Sequence, residues 1–508
     1  MIRPLSGRHP TRLVPDLLAA AAASAPGRKA IVVDGAAVTY AELADRVDRL
    51  ASWLVSRGLA RGDRIAVRAA NSSMHFEVYL AAARIGAASV PLATELADPE
   101  VGRLVADVRP TLTFADAPGV EALRASGLDV VVAGSRRHAA ALATAVGGLQ
   151  ALPEPSDVVL IVYTSGTTGH SKGVCLSQAA VTANAAINAR SQEFGAHEVY
   201  LTSTPLYHTS AAARIFTMLA GAHTHVVMSH FDPAGWIDTV ETHAVTSAII
   251  VPTQAQRILD HEAYAPERLG SLRLLVYGTA PSSPQQAWRM RQQFRCGLYH
   301  GYGLSETTGV VTALTAADHE ALTGPDDPRL SSIGRAIAGA EVVVRHPDGS
   351  EVAPGEVGEI TVRTPKIMSG YWGDPAATAA AFVDGWLLTG DLATVDGDGY
   401  ITIVGRSKDV VISGGINIHP AQVERVIAAH PDVEEVAVFG VPDPEWGESP
   451  VAAVRRRSGS SFTATDVVRL VVTHLDRRHR PSQVVFVDEF PRTATGKIRR
   501  ADLPGLLE

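Results

Sequence analysis

Residues 163–173 have the composition of a phosphate-binding loop. The segment Y-T-S-G-T-T-G-H-S-K-G combines glycines, several hydroxyl side chains and one lysine, Lys172. Glycine lets backbone N–H groups approach a polyphosphate, and hydroxyls and a lysine add hydrogen-bond donors and positive charge. The segment is not a P-loop, which requires Ser or Thr directly after its lysine, because Gly173 occupies that position. A flexible surface loop is the alternative interpretation.

The flanking sequence predicts how this loop is held. An apolar run at 158–162 predicts a buried strand before the loop, and residues 178–194 predict a helix after it, with Ser177 as N-cap. Upstream, short apolar runs alternate with two predicted amphipathic helices, the first of them capped by Thr39. The strands are predicted at 30–33, 64–68 and 88–92, and the helices at 40–57 and 75–85. Such alternation is typical of an α/β fold with a largely parallel sheet.

Three further polar loops follow apolar segments. Strands are predicted at 225–228, 247–251, 273–277 and 297–300. The loops are P-L-Y-H at 205–208, G-T-A-P at 278–281 and H-G-Y-G-L-S-E-T-T at 300–308. Loops after parallel strands are where α/β folds bind ligands. Their equivalent placement therefore strengthens the prediction of a phosphate site.

The character of the sequence changes twice in its last third. From about residue 332, β-type runs at 341–345, 358–362 and 401–404 predict a small, mostly antiparallel unit, which includes G-W-L-L-T-G-D at 385–391. After the polar break G-R-S-K-D at 405–409, the chain has an α+β pattern with a helix predicted at 421–430. We therefore predict two domains, 1–405 and 406–508, with a β-rich subdomain at about 332–405.

The composition excludes several classes of protein. The 508 residues carry a net charge of −8, which gives general nucleic-acid binding no electrostatic support. Two cysteines cannot form a disulfide framework, which favours a reducing compartment. No apolar run reaches the roughly 18 residues of a membrane span. Residues 17–25 resemble a signal peptide, but Pro15 and Asp16 interrupt the approach to them, so we predict a first helix in a cytoplasmic protein.

The order of five motifs resembles the adenylate-forming (ANL) superfamily, which includes acyl- and aryl-CoA synthetases, peptide-synthetase adenylation domains and firefly luciferases. The motifs are the loops at 163–173 and 300–308, T-G-D at 389–391, the 405–420 run, and P-R-T-A-T-G-K at 491–497. The resemblance covers essentially the whole chain. It implies an α/β fold, with a large N-terminal domain of stacked, mostly parallel α/β sheets plus a small β-barrel-like unit, followed by a small mobile α+β domain.

The resemblance also implies a reaction in two halves. A carboxylate attacks the α-phosphate of ATP, which gives acyl-AMP and pyrophosphate. A thiol, usually that of coenzyme A, then displaces AMP and gives a thioester. Adenylation turns a poor acyl donor into a good one, and the enzyme mainly positions groups and neutralises developing charge.

The phosphate and adenine contacts follow from the resemblance. The β- and γ-phosphates would be held by Thr164, Ser165, Gly166, Thr167, Thr168 and Lys172. Tyr302 would stack on the adenine ring. The residues that frame the ring or accompany Tyr302 in its loop would be Gly278, Thr279, Ala280, Gly301 and Gly303.

The remaining ATP-site roles are likewise implied by the resemblance. Thr307 would contact the α-phosphate, and Glu306 would ligate Mg²⁺, a cation that prefers oxygen ligands. Asp391 would accept hydrogen bonds from the ribose hydroxyls, with Arg406 in support. Lys497 would reach the reacting oxygens in the adenylation transition state.

The coenzyme A contacts implied by the resemblance lie in the C-terminal domain. Lys408 falls at the hinge about which that domain swings between the half-reactions. Gly414 and Gly415 would border the pantetheine tunnel, where glycine lets a chain pass close to the backbone. Trp446 would stack on the adenine of coenzyme A, and Arg480 would bind its 3′-phosphate.

The chain departs from the pattern of the superfamily at two informative places. Ser171 stands in the phosphate loop where a proline is usual. R-H-R-P at 478–481 replaces a common Tyr-Lys-x-Pro run, which weakens the prediction of coenzyme A as acceptor.

The resemblance defines the acyl pocket least. The pocket would be lined by residues 181–188, 207–214, 249–253, 278, 303 and 308–310, and His208 would gate the substrate carboxylate. Arg214, if it faced the pocket, would pair with a second carboxylate or a polar substituent. If it faced outward, the acid would be a plain medium-chain, aromatic or alicyclic one. We predict that Arg214 faces outward.

The leading hypothesis is therefore an AMP-forming acid–CoA ligase that uses ATP, Mg²⁺ and coenzyme A. The R-H-R-P run motivates a second hypothesis, in which the activated group passes to a carrier-protein pantetheine or to an amine. A third, a non-catalytic binding protein, is opposed by the presence of Lys172, Glu306, Asp391 and Lys497. The identity of the acid is left open, and so is a homodimer.

Overall fold

Helices and short strands alternate through the first part of the chain. The structure is a computed structural model that describes residues 13–149, 152–164, 171–280, 282–475, 477–492 and 498–507. Up to residue 177 the elements are α1 (Val14–Ser24), β1 (Lys29–Val33), β2 (Ala36–Thr39), α2 (Tyr40–Ser56), β3 (Arg64–Arg68), α3 (Ser73–Arg84), β4 (Ala88–Pro91), α4 (Asp98–Val108), β5 (Leu112–Ala115), α5 (Val120–Ala125), β6 (Val130–Val132), α6 (Arg136–Leu142), β7 (Val158–Thr164) and β8 (Lys172–Ser177).

The same alternation continues to residue 336. The elements are α7 (Gln178–Ser191), β9 (Val199–Thr202), α8 (Thr209–Ala220), β10 (Thr224–Val227), α9 (Pro233–Thr242), β11 (Ser247–Ile250), α10 (Pro252–Leu259), β12 (Leu274–Gly278), α11 (Pro284–Phe294), β13 (Gly297–Leu304), β14 (Gly309–Leu314), α12 (Ala316–Glu320) and β15 (Arg335–Ala336). Short 3₁₀ helices span Pro266–Leu269, Ser305–Thr307 and Pro328–Ser331.

Strands dominate the remainder of the chain. They are β16 (Glu341–Arg345), β17 (Gly358–Arg363), β18 (Gly370–Tyr371), β19 (Phe382–Val383), β20 (Trp386–Val395), β21 (Ile401–Arg406), β22 (Val411–Ser413), β23 (Ile416–Ile418), β24 (Val433–Asp443), β25 (Gly447–Arg456) and β26 (Gln483–Phe486). The helices are α13 (Pro375–Ala380), α14 (Pro420–Ala428) and α15 (Ala464–His474), with 3₁₀ segments at Arg477–His479 and Arg500–Leu507.

Two mixed sheets form the α/β part. One has the strand order β15-β14-β13-β12-β11-β9-β10-β1-β2, and the other has the order β18-β8-β7-β4-β3-β5-β6. Their central pairs are parallel, whereas β13–β14 and β7–β8 are antiparallel. Helices cover the sheets with apolar stripes. In α2, for example, Leu43, Val47, Leu50 and Leu54 recur at helical spacing and are fully or almost fully buried.

Two smaller sheets complete the fold. An antiparallel sheet has the order β16-β17-β20-β19, with β21 on β20, and curves as a half-barrel. The C-terminal sheet has the order β23-β22-β25-β24, with β26 parallel to β25, and α14 and α15 contribute Val423, Ile427 and Val467 to its core. The predicted α/β fold with a β-rich unit and an α+β C-terminal part is confirmed.

Local predictions agree with the structure where capping residues marked the helix ends. Thr39 Oγ1 accepts the backbone N–H of Glu42, and Ser177 Oγ accepts that of Ala180. The segment compared with a signal peptide lies in α1, whose Leu17 and Leu18 are buried. In the described part of the chain, no helix has both the length and the apolar character needed to cross a membrane.

One strand is missing from the prediction, and one predicted boundary is wrong. The phosphate loop does not lead directly into a helix, because β8 pairs antiparallel with β7 and makes the loop the tip of a hairpin. The strand predicted to end at His300 continues to Leu304, because its last residues pair with β14. Residues 301–304 are therefore the last residues of β13, a strand between β12 and β14, and only Ser305–Thr307 form the turn.

Candidate active site

A carboxylate, a phenol and a guanidinium meet where the half-barrel sheet faces β13. Asp391 on β20 pairs in register with Arg406, the last residue of β21. Arg406 Nε donates to Asp391 Oδ1 at 2.8 Å, and Tyr302 Oη donates to Asp391 Oδ2 at 2.6 Å. Burial, followed by the charge of Asp391, holds the pKa of Tyr302 well above its usual value, so the phenol stays a donor. The carboxylate is thus fixed through both oxygens.

A second polar group surrounds Glu306 in the turn after β13. Tyr371 Oη, on β18, donates to Glu306 Oε1 at 2.9 Å, and the Lys172 ammonium lies 4.8 Å from the centre of the Tyr371 ring. The backbone N–H of Met368 donates to the Glu306 carbonyl at 2.8 Å. Tyr371 therefore links the predicted phosphate lysine to the predicted Mg²⁺ ligand. Sequence reasoning missed it, although it lies in the G-Y-W segment that forms the edge strand beside β8.

In the turn after β13, Ser305 is more exposed than Thr307, the residue predicted to contact the α-phosphate. Thr307 is fully buried, and its Oγ1 lies 3.0 Å from the Leu304 carbonyl oxygen and 2.7 Å from that of Gly309. That geometry does not favour the predicted phosphate contact of Thr307. Ser305 is only half-buried, and its Oγ lies 2.8 Å from Thr209 Oγ1 at the start of α8. The sequence signal that we overlooked is its position directly before Glu306.

Glycines bring the two predicted adenine-framing loops into contact. A Cβ on Gly278, whose φ is +154°, would lie 2.4 Å from the Gly301 carbonyl oxygen. A Cβ on Gly303 would lie 2.0 Å from the Gly309 carbonyl oxygen. Side chains at these positions would force the loops apart. The predicted Gly278, Thr279 and Ala280 loop therefore lies beside the strand that carries Tyr302, with Thr279 in the left-handed region at φ +61°.

The phosphate loop is anchored on both sides. Thr164 ends β7, pairs with Lys172 at the start of β8, and contacts the Lys172 carbonyl through its hydroxyl at 3.4 Å. Ser171 donates to Glu100 Oε1 at 3.4 Å. The predicted site residues between these strands, and the predicted adenylation lysine, lie outside the described residues: Ser165, Gly166, Thr167, Thr168 and Lys497.

His208 and Arg214 both belong to α8, but only His208 lies at its beginning. His208 is the N-cap residue, and its carbonyl accepts the Ala212 N–H at 2.8 Å. The prediction that Arg214 faces outward is wrong, because Arg214 is only 3% exposed. Its Nη1 donates to Gln192 Oε1 at 3.0 Å, and its guanidinium lies 4.4 Å from the centre of the Tyr200 ring.

The predicted coenzyme A residues lie at one end of the C-terminal sheet. Gly414 and Gly415, at φ +56° and +78°, form the two-residue turn between β22 and β23. The Gly414 N–H donates to the Trp446 carbonyl at 2.8 Å, and the Trp446 side chain is 52% exposed. Trp446 precedes β25 and the exposed Arg480 precedes β26, which run parallel, so both approach the same edge. Lys408 is exposed in the turn after β21.

A magnesium ligand set built from protein alone is not present among the described residues, where no group of three or more His, Cys, Asp or Glu side chains is arranged around a point. A single carboxylate such as Glu306 nevertheless suits Mg²⁺, which usually keeps water and phosphate oxygens among its ligands. The site is therefore compatible with a metal ion that enters together with a nucleotide.

Comparison with protein families gives two matches. The family model of the AMP-binding enzymes matches residues 18–372, and the model of the AMP-binding enzyme C-terminal domain matches residues 422–497. An indoleacetate–CoA ligase of Aromatoleum aromaticum is 35% identical over 95% of this chain and 96% of its own length. A feruloyl-CoA synthase of Amycolatopsis is 38% identical over 94% and 96%. The fatty acid–[acyl-carrier-protein] ligase ScoC of Streptomyces coeruleorubidus is 32% identical over 94% and 93%.

Solved structures share the fold along nearly the whole chain. ATP-bound MatB of Rhodopseudomonas palustris is 30% identical, with a TM-score of 0.88 over 97% of this chain and 98% of its own. The amide bond synthetase McbA of Marinactinospora thermotolerans is 30% identical, with a TM-score of 0.87 over 97% of this chain and 100% of its own. These similarities extend over the large α/β part, the half-barrel and the C-terminal sheet.

Proposed function

This chain belongs to the AMP-binding enzyme family, within the adenylate-forming superfamily, and we propose that it is an ATP-dependent acid–CoA ligase. It would activate a carboxylic acid as acyl-AMP, release pyrophosphate, and transfer the acyl group to the thiol of coenzyme A. The observation that carries the proposal is the convergence of Tyr302, Asp391 and Arg406 beside the Glu306 turn. Two relatives matched over nearly their whole length, an indoleacetate–CoA ligase and a feruloyl-CoA synthase, support it.

In the first half-reaction the chain would mainly position the nucleotide. The Asp391 carboxylate is held by two donors, yet each of its oxygens keeps a lone pair that can accept from a ribose hydroxyl. Gly278, Gly301 and Gly303 let the strand that carries Tyr302 pack closely against its neighbours, and the Tyr302 ring would stack on the adenine. Lys172 would compensate the charge of the departing pyrophosphate, together with the loop hydroxyls.

The turn after β13 would serve the α-phosphate. We assign the predicted hydroxyl contact to Ser305 rather than Thr307, because the Thr307 hydroxyl is turned to backbone carbonyls and is fully buried. Glu306 would hold Mg²⁺, which supplies charge neutralisation at the phosphates when bound. Tyr371 would orient Glu306 through its hydrogen bond at 2.9 Å.

In the second half-reaction the C-terminal domain would present another face to the acyl-AMP. We propose the domain boundary near Lys408, with residues 406–508 moving relative to residues 1–405. The Gly414–Gly415 turn would border the pantetheine path. The exposed Trp446 and Arg480 offer an aromatic face and a guanidinium to the nucleotide end of coenzyme A.

A second acceptor is favoured by one specific observation. The segment at 477–480 is R-R-H-R and forms a basic 3₁₀ turn at the edge where coenzyme A would bind. Such a surface also suits the acidic exterior of a carrier protein that bears pantetheine. The similarity to ScoC, a carrier-protein ligase, and to McbA, an amide bond synthetase, supports this alternative.

The compartment that we propose is the reducing cytoplasm. Both cysteines are free in the structure, and burial raises the pKa of the Cys175 and Cys296 thiols to about 12, which keeps them unreactive.

A product assay tests the proposed function. The enzyme is incubated with ATP, Mg²⁺, coenzyme A and a panel of acids, and we expect AMP and pyrophosphate with at least one acid, together with consumption of the free thiol. Formation of ADP would contradict the mechanism. AMP release without thiol consumption would favour the carrier-protein or amine acceptor instead.

The variant Lys497→Ala separates the two half-reactions. We expect acyl-AMP formation to fall by roughly 10²–10³-fold, because a charge-stabilising donor is lost at the reacting centre. Thioester formation from supplied acyl-AMP should persist. The exposed Lys29, at the start of β1, provides the control variant Lys29→Ala. Equal loss of both half-reactions in Lys497→Ala would contradict this division of roles.

A further inference from the structure

The inner face of α7 is polar where a helix at that depth is normally apolar. Asn184 and Asn188, four residues apart, lie on one face of the helix, and Gln192 follows four residues later. Asn184 is fully buried, and Asn188 and Gln192 are 5% and 2% exposed. We call these three residues, with Arg214 and Lys366, the buried polar cluster.

The cluster contains two cations from different parts of the chain. Lys366, just after the half-barrel strand β17, is fully buried, and its Nζ donates to Asn184 Oδ1 at 3.1 Å and to the Val310 carbonyl. Arg214 on α8 donates to Gln192 Oε1 at 3.0 Å. Burial, followed by the charge of Arg214, lowers the pKa of Lys366 to about 7. The two cations therefore act on one another.

The positive charge has no counterion within salt-bridge distance among the described residues. Glu198, the acid whose charge reaches Tyr200, is bonded instead to Arg273, Thr246 and Ser247. Buried charges are ordinarily paired, because an uncompensated one costs several kcal/mol. The cluster is therefore incomplete as a closed structural network.

Its unsatisfied atoms are mostly donors. Asn184 Nδ2, Gln192 Nε2 and Arg214 Nε are buried without a hydrogen-bond partner, and Asn188 Oδ1 is the unpartnered acceptor. Nearly all buried polar groups in proteins find a partner. Three donors without a partner, beside two cations, would suit a ligand group that accepts several hydrogen bonds and carries negative charge. A carboxylate has that chemistry.

The cluster lies directly behind the Glu306 turn. Thr308 Oγ1 donates to the Lys366 carbonyl at 2.6 Å, and a Cβ on Gly309 would lie 3.4 Å from Asn184 Oδ1. The helix that carries Arg214 begins at Thr209, whose hydroxyl contacts Ser305. A substrate whose reacting carboxylate lay at the turn would have the cluster directly behind that turn.

We propose that the acid activated by this enzyme carries a second carboxylate, remote from the reacting one, which is held by Lys366 and Arg214 with Asn184 and Gln192. Both cations are then specificity-determining residues. This inference rests on the proposed adenylation function. It names the substrate class as a dicarboxylic or carboxyl-bearing aromatic acid, in place of a plain apolar one.

The test compares matched pairs of acids in ATP–pyrophosphate exchange. Each pair joins a monoacid to its ω-carboxylated counterpart of the same skeleton, over several aliphatic lengths and aromatic frames. We expect kcat/KM for the best dicarboxylate to exceed that of its partner at least about tenfold, because a site with buried polar groups rejects the analogue that leaves them unpaired.

Two charge-removing variants locate the recognition. In Lys366→Met and Arg214→Gln we expect the preference for the dicarboxylate to fall about tenfold or more, mainly through a higher KM, with exchange of the monoacid partner retained. The control is Arg64→Gln, because Arg64 is half-buried in β3 and donates to the carbonyls of Val108 and Arg109. Its preference should equal that of the wild type, and melting temperatures report the folding of each variant.

The outcomes separate the inference from the function on which it rests. Preference for monoacids by the folded wild type, or for a neutral hydroxyl over a carboxylate at the same position, overturns the inference and leaves the ligase proposal intact. So does equal loss with both acids of a pair in folded Lys366→Met, which would indicate a structural role. Failure of every acid to support exchange overturns the proposed function itself.

Discussion

Tyr302, Asp391 and Arg406, which we propose to bind the nucleotide and call the nucleotide-facing group, differ in construction from the buried polar cluster. Around Asp391 a carboxylate meets a guanidinium and a phenol, so charge and hydrogen bonds balance within the protein. Around Lys366 and Arg214 two cations meet amides, and several donors have no partner. The first arrangement is prepared before any ligand arrives, as suits a co-substrate common to a whole family. The second leaves balance to the ligand, as suits the part that distinguishes one acid from another.

The largest expected effect tests whether these two regions are separable. Asp391→Asn removes one charge of a pair and leaves Arg406 unmatched. We expect kcat/KM for ATP to fall by roughly 10²-fold, because truncating one partner of such a pair typically costs 2–5 kcal/mol. The measurement is pyrophosphate exchange at saturating acid. A changed order of preference among acids would show that the regions are coupled.

A smaller effect, on the free energy of unfolding, distinguishes Lys366, which has no counterion among the residues that the structure describes, from cations in salt bridges. The pKa of Lys366 is lowered to about 7, so above pH 7 the unfolded chain holds a proton that the folded chain has released. The free energy of unfolding should therefore gain from this group between about pH 7 and 10, by about 2 kcal/mol over the first two pH units.

The measurement for that prediction is a difference between two proteins. Denaturant unfolding of the wild type and Lys366→Met is followed at several pH values without substrate, and the wild type alone should show the added rise. His225, which Arg214 also influences, has its pKa lowered to about 3 and does not titrate in this window. A pH-independent difference would mean that Lys366 stays charged and is compensated.

The smallest effect concerns the hydrogen bond that orients Glu306. Tyr371→Phe keeps the ring beside Lys172 and removes the donor. We therefore expect the exchange activity to fall about tenfold, the usual size of effect for a hydrogen bond to a charged group. The loss should appear in the Mg²⁺ dependence of exchange. Loss of acid preference in this variant would instead connect Glu306 to the buried polar cluster.

The residues of the nucleotide-facing group could be named from the sequence because they sit in dense motifs, and their roles stay predictions. Tyr302, Glu306, Asp391 and Arg406 were each singled out, and in the structure Tyr302 and Arg406 both bond to Asp391. Tyr371 was missed because its partner lies 65 residues away, across two sheets. The hairpin at β7–β8 was missed because the glycine-rich loop suggested a strand–loop–helix unit, although 174–176 is a short apolar run of the kind that a buried strand has.

The buried polar cluster could not be predicted in the same way. The helix α8 is buried on nearly all sides from Ala211 to Leu219, so its hydrophobic pattern carries no information about where Arg214 points. Amides four residues apart on α7 read as a solvent-exposed face. Only the packing of α7 against α8 shows that they face inward, and Lys366 arrives from a different sheet.

The salt bridges on the two sides of Lys408 belong to two different units of the chain. Arg406 is tied to Asp391 in the large unit, whereas Asp409 lies 3.5 Å from Arg500, which also binds Glu424 in the C-terminal unit. We propose Lys408 as the pivot between these two units, each of which is held by its own salt bridges. The Arg425 hydrogen bond to the Ile403 carbonyl, at 2.9 Å, connects the two units. Once that hydrogen bond is broken, rotation at Lys408 would swing the C-terminal sheet widely, with no rearrangement inside either unit.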